Sequence, residues 1–391
     1  MTFDFDAPVQ RRGTDSAKWQ IYGDEVLPLW VADMDFRSPQ VVIDALAERV
    51  QHGVFGYARP SASLINTLLE RLKTRHNWTV GVESLVFLPG LVTGLNAVVR
   101  AFTEPGEGAA MVTPIYPPFL SAVTNAGRTI DAAVLRDTVT DSILEYEIDF
   151  KALEAAITPK TRLFMLCNPH NPVGRVYTRE ELERIADLCI RHDLLICSDE
   201  IHCDLILGDN PHISIATLGP EVAKRCITLL APSKTFNIPG LGFSFAVIED
   251  EALRARFQKA SEGIVPHPNA LGYVAAEAAY RDGGPWLDAL LDYLRGNRDL
   301  VADFVRERLP GVATTVPEGT YLAWLDFRAI ALPDGQSPYK FCLEQAKVAL
   351  NDGAVFGPGG ENFTRLNFGC SRATLQTALE EMAQALQAYC V

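Results

Sequence analysis

The sequence predicts an α/β fold, a mainly parallel sheet covered by helices, followed by a smaller α+β domain. Three observations carry this. Between Leu85 and Ile248, short apolar runs alternate with segments of helical period, the pattern of a parallel sheet with both faces covered. Those runs end repeatedly in clusters of Gly, Pro, Asn, Asp and Ser, at the strand ends where such sheets gather ligands. After about Pro285, long helical stretches enclose a few short strands instead. A length of 391 residues suits one large and one small domain. The expected divisions are an N-terminal segment, 1–45, packing on the small domain, a large domain, 46–284, and a small C-terminal domain, 285–391.

Taken in order, Val41 to Gln51 has helical spacing and stops near Gly53. Leu85 to Leu88 is a short apolar run ending at Pro89-Gly90, and Thr93 to Phe102 reads as a helix. Ala109 to Val112 is strand-like up to Thr113-Pro114, and Arg162 to Cys167 runs into a Pro/Asn/Gly turn. Glu180 to His192 is a helix with apolar Leu182, Ile185, Ala186 and Cys189 on one face. Leu194 to Cys197, Cys226 to Leu230 and Phe243 to Ile248 are strands. Trp286 to Leu309 is a long helix, followed by strand-like Val312 to Val316 and Tyr321 to Phe327. Helices over Pro338 to Leu350 and Ala373 to Tyr389 flank a strand, Phe363 to Phe368, in which Phe363, Arg365 and Asn367 share a face.

Five polar clusters follow the strands. Lys234, in Pro232-Ser233-Lys234-Thr235-Phe236-Asn237, ends an apolar run between small hydroxyl residues. A lysine held in a pocket can be neutral, and a neutral amine forms Schiff bases. Asp199, in Ser198-Asp199-Glu200-Ile201-His202, reads as a helix cap, a salt bridge, or a carboxylate that keeps a pyridine nitrogen protonated. Asn168-Pro169-His170-Asn171-Pro172-Val173-Gly174 is a turn, or a turn whose Asn amide donates to a phenolate oxygen. Gly90-Leu91-Val92-Thr93-Gly94 opens a helix whose free amides suit a phosphate. Tyr116, between prolines, stacks on a planar ring or covers core. Each cluster is ordinary alone. Together, in chain order a phosphate cradle, an aromatic ring, Asn, Asp and then Ser-Lys, each at a strand end of one sheet, they are the parts a pyridoxal phosphate (PLP) site needs.

Composition excludes several other classes. The formal net charge of −14 argues against nucleic acid or an anionic membrane as partner. No run approaches the ~18 apolar residues of a membrane span, and the acidic-then-basic start has no signal-peptide core. The eight cysteines show neither a CxxC pair nor a metal spacing, so no metal is expected, and they read as free thiols of a reducing, cytoplasmic compartment.

The chain resembles the fold type I PLP-dependent enzymes of the aminotransferase class I/II superfamily. It looks most like their cystathionine β-lyase or C–S lyase branch, the MalY/PatB-like proteins. The residues carrying the closer match are Leu29 to Phe36, Gly53 to Tyr57, Ser198 to Leu205, Ser233 to Asn237 and Arg365 to Cys370. The resemblance implies a PLP-dependent transferase-like fold with a seven-stranded-type sheet in the large domain. It implies that Lys234 carries the cofactor, Asp199 pairs with its ring nitrogen, and Asn171 and His202 face its phenolate oxygen, with His202 standing where many aminotransferases have tyrosine. Tyr116 would stack on the ring; the amides around Leu91, Val92 and Thr93, with Ser233, would hold the phosphate. Arg365, with Asn171, would bind the substrate α-carboxylate. Tyr57 would reach the cofactor of a second subunit across a homodimer interface. Gly242 stands where many class I aminotransferases carry a phosphate-binding arginine. No sure candidate stands out for a second arginine that would bind a dicarboxylate side chain; Arg37, Arg59 and Arg372 each read as near the site or as surface residues. The implied reaction converts L-cystathionine or a related S-substituted cysteine to a thiol such as homocysteine, pyruvate and ammonia, within methionine biosynthesis. An aminotransferase and a PLP-binding regulatory protein are the alternatives.

Overall fold

The structure, a computed structural model, describes residues 3–389. Seven strands form the main sheet, in the order Leu85–Leu88, Ser244–Val247, Cys226–Leu230, Leu195–Asp199, Thr161–Cys167, Gly108–Thr113 and Thr129–Val134. Neighbours run parallel except at Ser244–Val247, which is antiparallel to both of its partners. The interior strand Cys226–Leu230 is buried along its whole length, as expected where helices cover both faces.

The covering helices follow from their sequences. Helix Leu91–Phe102 buries Leu91, Leu95, Val98, Val99 and Phe102 in a core with Met111, Met165, Ile227 and Leu229. Gly94 lets it close on the sheet, because a Cβ there would stand 3.1 Å from side-chain carbons of Leu229 and Leu88. Helix Arg179–Arg191 starts in a capping box between Thr178 and Glu181. Helix Ala62–His76 is capped by Ser61 and buries Leu64, Leu68 and Leu72, each contributing roughly 1.5–3 kcal/mol.

A second, six-stranded sheet runs Asn351–Asp352, Phe363–Asn367, Leu322–Asp326, Ala313–Thr314, Ile143–Glu147 and Arg136–Thr140. Its last two strands form a hairpin from the middle of the chain, docked by the pairing of Thr314 with Ile143. Sequence reading missed that hairpin because Arg136–Thr140 is mostly polar and exposed. Its turn is carried by Asp141 and Ser142, both at positive φ (49° and 63°).

The N-terminal segment packs where the C-terminal elements meet. Phe5, Leu29, Met34 and Phe36 share a core with Trp286, Leu290, Leu375 and Leu379, and Leu27–Pro28 pairs in parallel with Val348–Ala349. The helix expected over Pro338 to Leu350 stops at Glu344. Lys347 takes a left-handed φ of 56°, and Val348 and Ala349 are extended instead. Among the described residues, no helix is long and apolar enough to cross a membrane.

Candidate active site

A cavity of about 220 Å³ opens where the main-sheet strands end, and every expected site residue except Tyr57 and Arg365 lines it. Leu91, Val92 and Thr93 come from the start of helix Leu91–Phe102. Tyr116 opens helix Pro117–Asn125, and Asn171 lies in the turn after Thr161–Cys167. Asp199 and His202 stand at the end of Leu195–Asp199, and Ser233 and Lys234 follow Cys226–Leu230.

Lys234 is half-buried, and its amine donates to the carbonyl of Ala32. The Tyr321 hydroxyl donates to the same oxygen at 2.9 Å. Burial, then repulsion from Arg365, lowers the Lys234 pKa to about 8 against the pull of Asp33 and Asp199. The amine therefore has a substantial neutral fraction near neutral pH.

Asp199 and Glu200 point to opposite sides. Glu200 is wholly engaged away from the cavity, accepting from Ser198 Oγ, Ser214 Oγ and His212 Nε2, each at 2.9 Å. Asp199 accepts from the Ile201 amide at 3.0 Å, so a local cap exists beside its place in the cavity wall. Burial raises its pKa to about 7. A cationic N–H brought to such a carboxyl would ionise it.

His202 is buried, packs edge-on against Tyr321 at 6.0 Å and leaves Nδ1 without a partner among the described residues. Burial first, then Lys234 and Arg365, pushes its pKa well below the usual value, so the ring is neutral. Burial likewise raises the Tyr116 phenol.

Arg365 stands one hydrogen bond behind the cavity wall. It donates to Asn171 Oδ1 at 3.0 Å, to the Trp30 carbonyl at 3.1 Å and to Asn351 Oδ1 at 2.6 Å. It is buried, its Nε has no partner, and no carboxylate pairs with it among the described residues. Burial lowers its pKa to about 10. A buried cation held by neutral acceptors is completed by a carboxylate.

At the helix start, Gly90 offers no capping side chain, leaving the first-turn amides for an anion. Gly242 also lines the cavity, at a left-handed φ of 59° with the Pro89 carbonyl 3.1 Å from where a Cβ would stand. An arginine there would be strained. Among the described residues lining the cavity, Lys234 is the only lysine or arginine.

Tyr57 lies outside the cavity, fully exposed on the loop before helix Ala62–His76. Arg37 and Arg59 are exposed, and the Arg372 guanidinium lies over Tyr293 at 5.1 Å; none of the three lines the cavity. Four residues that shape the site had no role in the sequence reading: Ala32, Tyr321, Asn351 and Asn237. Asn237, at φ 55°, accepts from the Met34 amide and donates to the carbonyls of Met34 and Phe36, all at 2.8–2.9 Å. It thereby ties the lysine loop to the segment carrying Ala32. The only signal was its place beside Lys234 in a motif.

Comparison with known proteins agrees with this geometry. A cystathionine β-lyase, PatB of Bacillus subtilis (strain 168), is 42% identical over 389 residues, 98% of this chain and 99% of its own. The crystal structure of OvoB superposes with a TM-score of 0.93 at 46% identity, covering 99% of this chain and 100% of its own. Cystalysin of Treponema denticola, whose crystal structure contains PLP, also gives a TM-score of 0.93, at 35% identity and the same coverage. The residues here fit that cofactor. Asp199 is a buried acid lacking a cationic partner among the described residues, His202 has an unpartnered ring nitrogen, and the uncapped helix start offers its amides. The family model for aminotransferase class I and II matches residues 24–382, and the chain belongs to that family.

Proposed function

We propose that the protein is a PLP-dependent carbon–sulfur β-lyase that converts L-cystathionine or a related S-substituted cysteine to a thiol, pyruvate and ammonia. The observation that carries this reading is Lys234, an amine lowered to about 8 in the same cavity as Asp199, with Arg365 one hydrogen bond away through Asn171. The lyase named among the relatives spans nearly the whole chain. Gly242, whose backbone disfavours a side chain, supports elimination over transamination.

Lys234 is the amine that would hold the cofactor aldehyde. Asp199 would keep the ring nitrogen protonated, Asn171 and His202 would meet the phenolate oxygen, and Tyr116 would pack on the ring. The helix-start amides and Ser233 would bind the phosphate. PLP, when bound, supplies a carbonyl for the substrate amine and a ring that accepts the electron pair left on Cα. Arg365 binds the α-carboxylate with its charge and fork geometry and so orients Cα toward Lys234. Lys234, freed as an amine, removes the Cα proton. The Cβ–S bond then breaks with its electron pair on sulfur, and the Lys234 ammonium returns a proton to the thiolate. One water is consumed in releasing pyruvate and ammonia.

The exposed loop carrying Tyr57 supports a homodimer in which Tyr57 completes the other subunit's site. Val54 and Phe55 beside it are 62% and 60% exposed, unusual for apolar neighbours on a free surface. Free, buried thiols among the described cysteines support a cytoplasmic location.

The test is purified protein loaded with PLP and given L-cystathionine with no keto acid. Thiol and pyruvate are expected in equal amounts. Turnover that strictly requires 2-oxoglutarate or pyruvate as acceptor would refute the lyase reading.

A further inference from the structure

We propose that Asp204 and Thr235 form a positioning pair for Lys234, in which a buried carboxylate fixes the Thr235 side chain and with it the backbone that aims the lysine. The inference rests on the role assigned to Lys234 above. Thr235 follows Lys234 in the loop after Cys226–Leu230. Lys234 reaches the cavity, whereas Thr235 is wholly buried and does not line it. Its hydroxyl donates to Asp204 Oδ2 at 3.1 Å. The other oxygen of Asp204, Oδ1, lies 2.6 Å from Nη2 of Arg71. The Arg71 guanidinium is itself seated over the Tyr280 ring at 4.5 Å. The carboxylate is thus held on one side by helix Ala62–His76 and presented on the other to the residue next to Lys234.

Burial alone would push the Asp204 carboxyl up, but Arg71, with His76 and Arg75 behind it, outweighs burial and holds the pKa down at about 2. The Thr235 hydroxyl therefore meets an anion, and hydrogen bonds to charged acceptors are the stronger kind. His76, Cys203 and Asp204 do bring three metal-type donor atoms together. The cation in contact with Asp204 is the guanidinium, which cannot lose its proton, so the cluster reads as an ion-pair anchor. A buried ion pair is a poor way merely to tie a helix to a sheet, since apolar side chains do this as well or better. Contact with Thr235 gives the pair a reason to be polar. Backbone bonds close the turn itself, Phe236 N to Pro232 O at 2.9 Å and Ile238 N to Ser233 O at 3.0 Å, and Asn237 ties its far end to Met34 and Phe36, leaving this hydroxyl as the side-chain restraint on the residue next to Lys234.

Thr235→Val removes the hydroxyl, keeps the shape and leaves the Arg71–Asp204 pair intact; Thr235→Ser restores the hydroxyl. In PLP-loaded protein, Thr235→Val is expected to lower kcat by about 10- to 100-fold with KM little changed. It should also shift the pH at which the bound-cofactor absorbance changes by about half a unit or more. Thr235→Ser should restore both. A merely structural hydroxyl would lower the melting temperature without moving that absorbance titration. An unmoved titration and kcat in Thr235→Val overturn the proposal. Lys234→Ala separates the two readings. If it keeps the parental titration, the assignment of Lys234 itself fails; if it loses the titration while Thr235→Val leaves it unmoved, only the positioning role fails. Should Thr235→Val not purify, Thr235→Ala is read by the same titration.

Discussion

Lys234 brings its amine among groups that disagree about its charge. Burial and Arg365 favour the neutral form, while Asp33 and Asp199 favour the cation, and the balance lies at about 8 rather than the ordinary 10.5. This has a consequence for the cofactor-free protein. Between about pH 8 and 10.5 the unfolded chain keeps a proton on this lysine that the folded chain has lost. The unfolded state is therefore favoured by protonation. The penalty is fully present below pH 8 and disappears as pH rises through 10.5. Melting temperatures of the cofactor-free parent, taken relative to Lys234→Met, should climb across that window. A difference between the two that is flat from pH 8 to 10.5 would mean that the amine is not desolvated. Arg365 shows the same physics in a group that cannot readily give up its charge: it is depressed to about 10 yet remains a cation at working pH, which is what binding a carboxylate requires.

The lysine loop and the segment around Ala32 hold each other, and Asn237 is the joint. Its three bonds to Met34 and Phe36 come from a residue at φ 55°, a conformation that favours Gly or Asn. Asn237→Ala loses the bonds and adds backbone strain; Asn237→Gly loses the bonds alone. Denaturant unfolding should show Asn237→Ala destabilised by about 2–4 kcal/mol, with Asn237→Gly less affected by about 1 kcal/mol. Equal losses would remove strain from the account. The elements that carry Lys234 and Asp199 were legible because buried strands leave continuous apolar runs that stop abruptly at polar clusters, and the strand carrying Arg365, Phe363–Asn367, was legible as a short alternating segment between two helices. The hairpin of Arg136–Thr140 and Ile143–Glu147 left no such run, since its outer strand is exposed and polar. The bonds that close the site were equally hidden. The Ala32 carbonyl, accepting from Lys234 and Tyr321, is a backbone atom whose partners lie some 200 and 290 positions away, and no local pattern encodes such a contact.

At the scale of the whole molecule, the unspent surface is the loop with Val54, Phe55 and Tyr57. It borders a groove of about 1840 Å³ walled by Phe87, Val265 and Tyr273 among others. Tyr57 reaches no part of its own chain's cavity, so the role proposed for it requires a second copy, and oligomers of identical chains close symmetrically, each giving what it receives. Two inactive variants should therefore repair each other. In a hybrid dimer, the chain with Lys234→Ala still offers Tyr57, and the chain with Tyr57→Ala still offers Lys234, so one of the two sites is whole. Refolding the two together at equal amounts makes half of the dimers hybrid, and about a quarter of parental β-lyase activity should return. Each variant alone should stay well below that level. If Tyr57 served its own chain's Lys234, every site in the mixture would still lack one residue. Activity no higher than the mean of the two variants would then exclude the shared site.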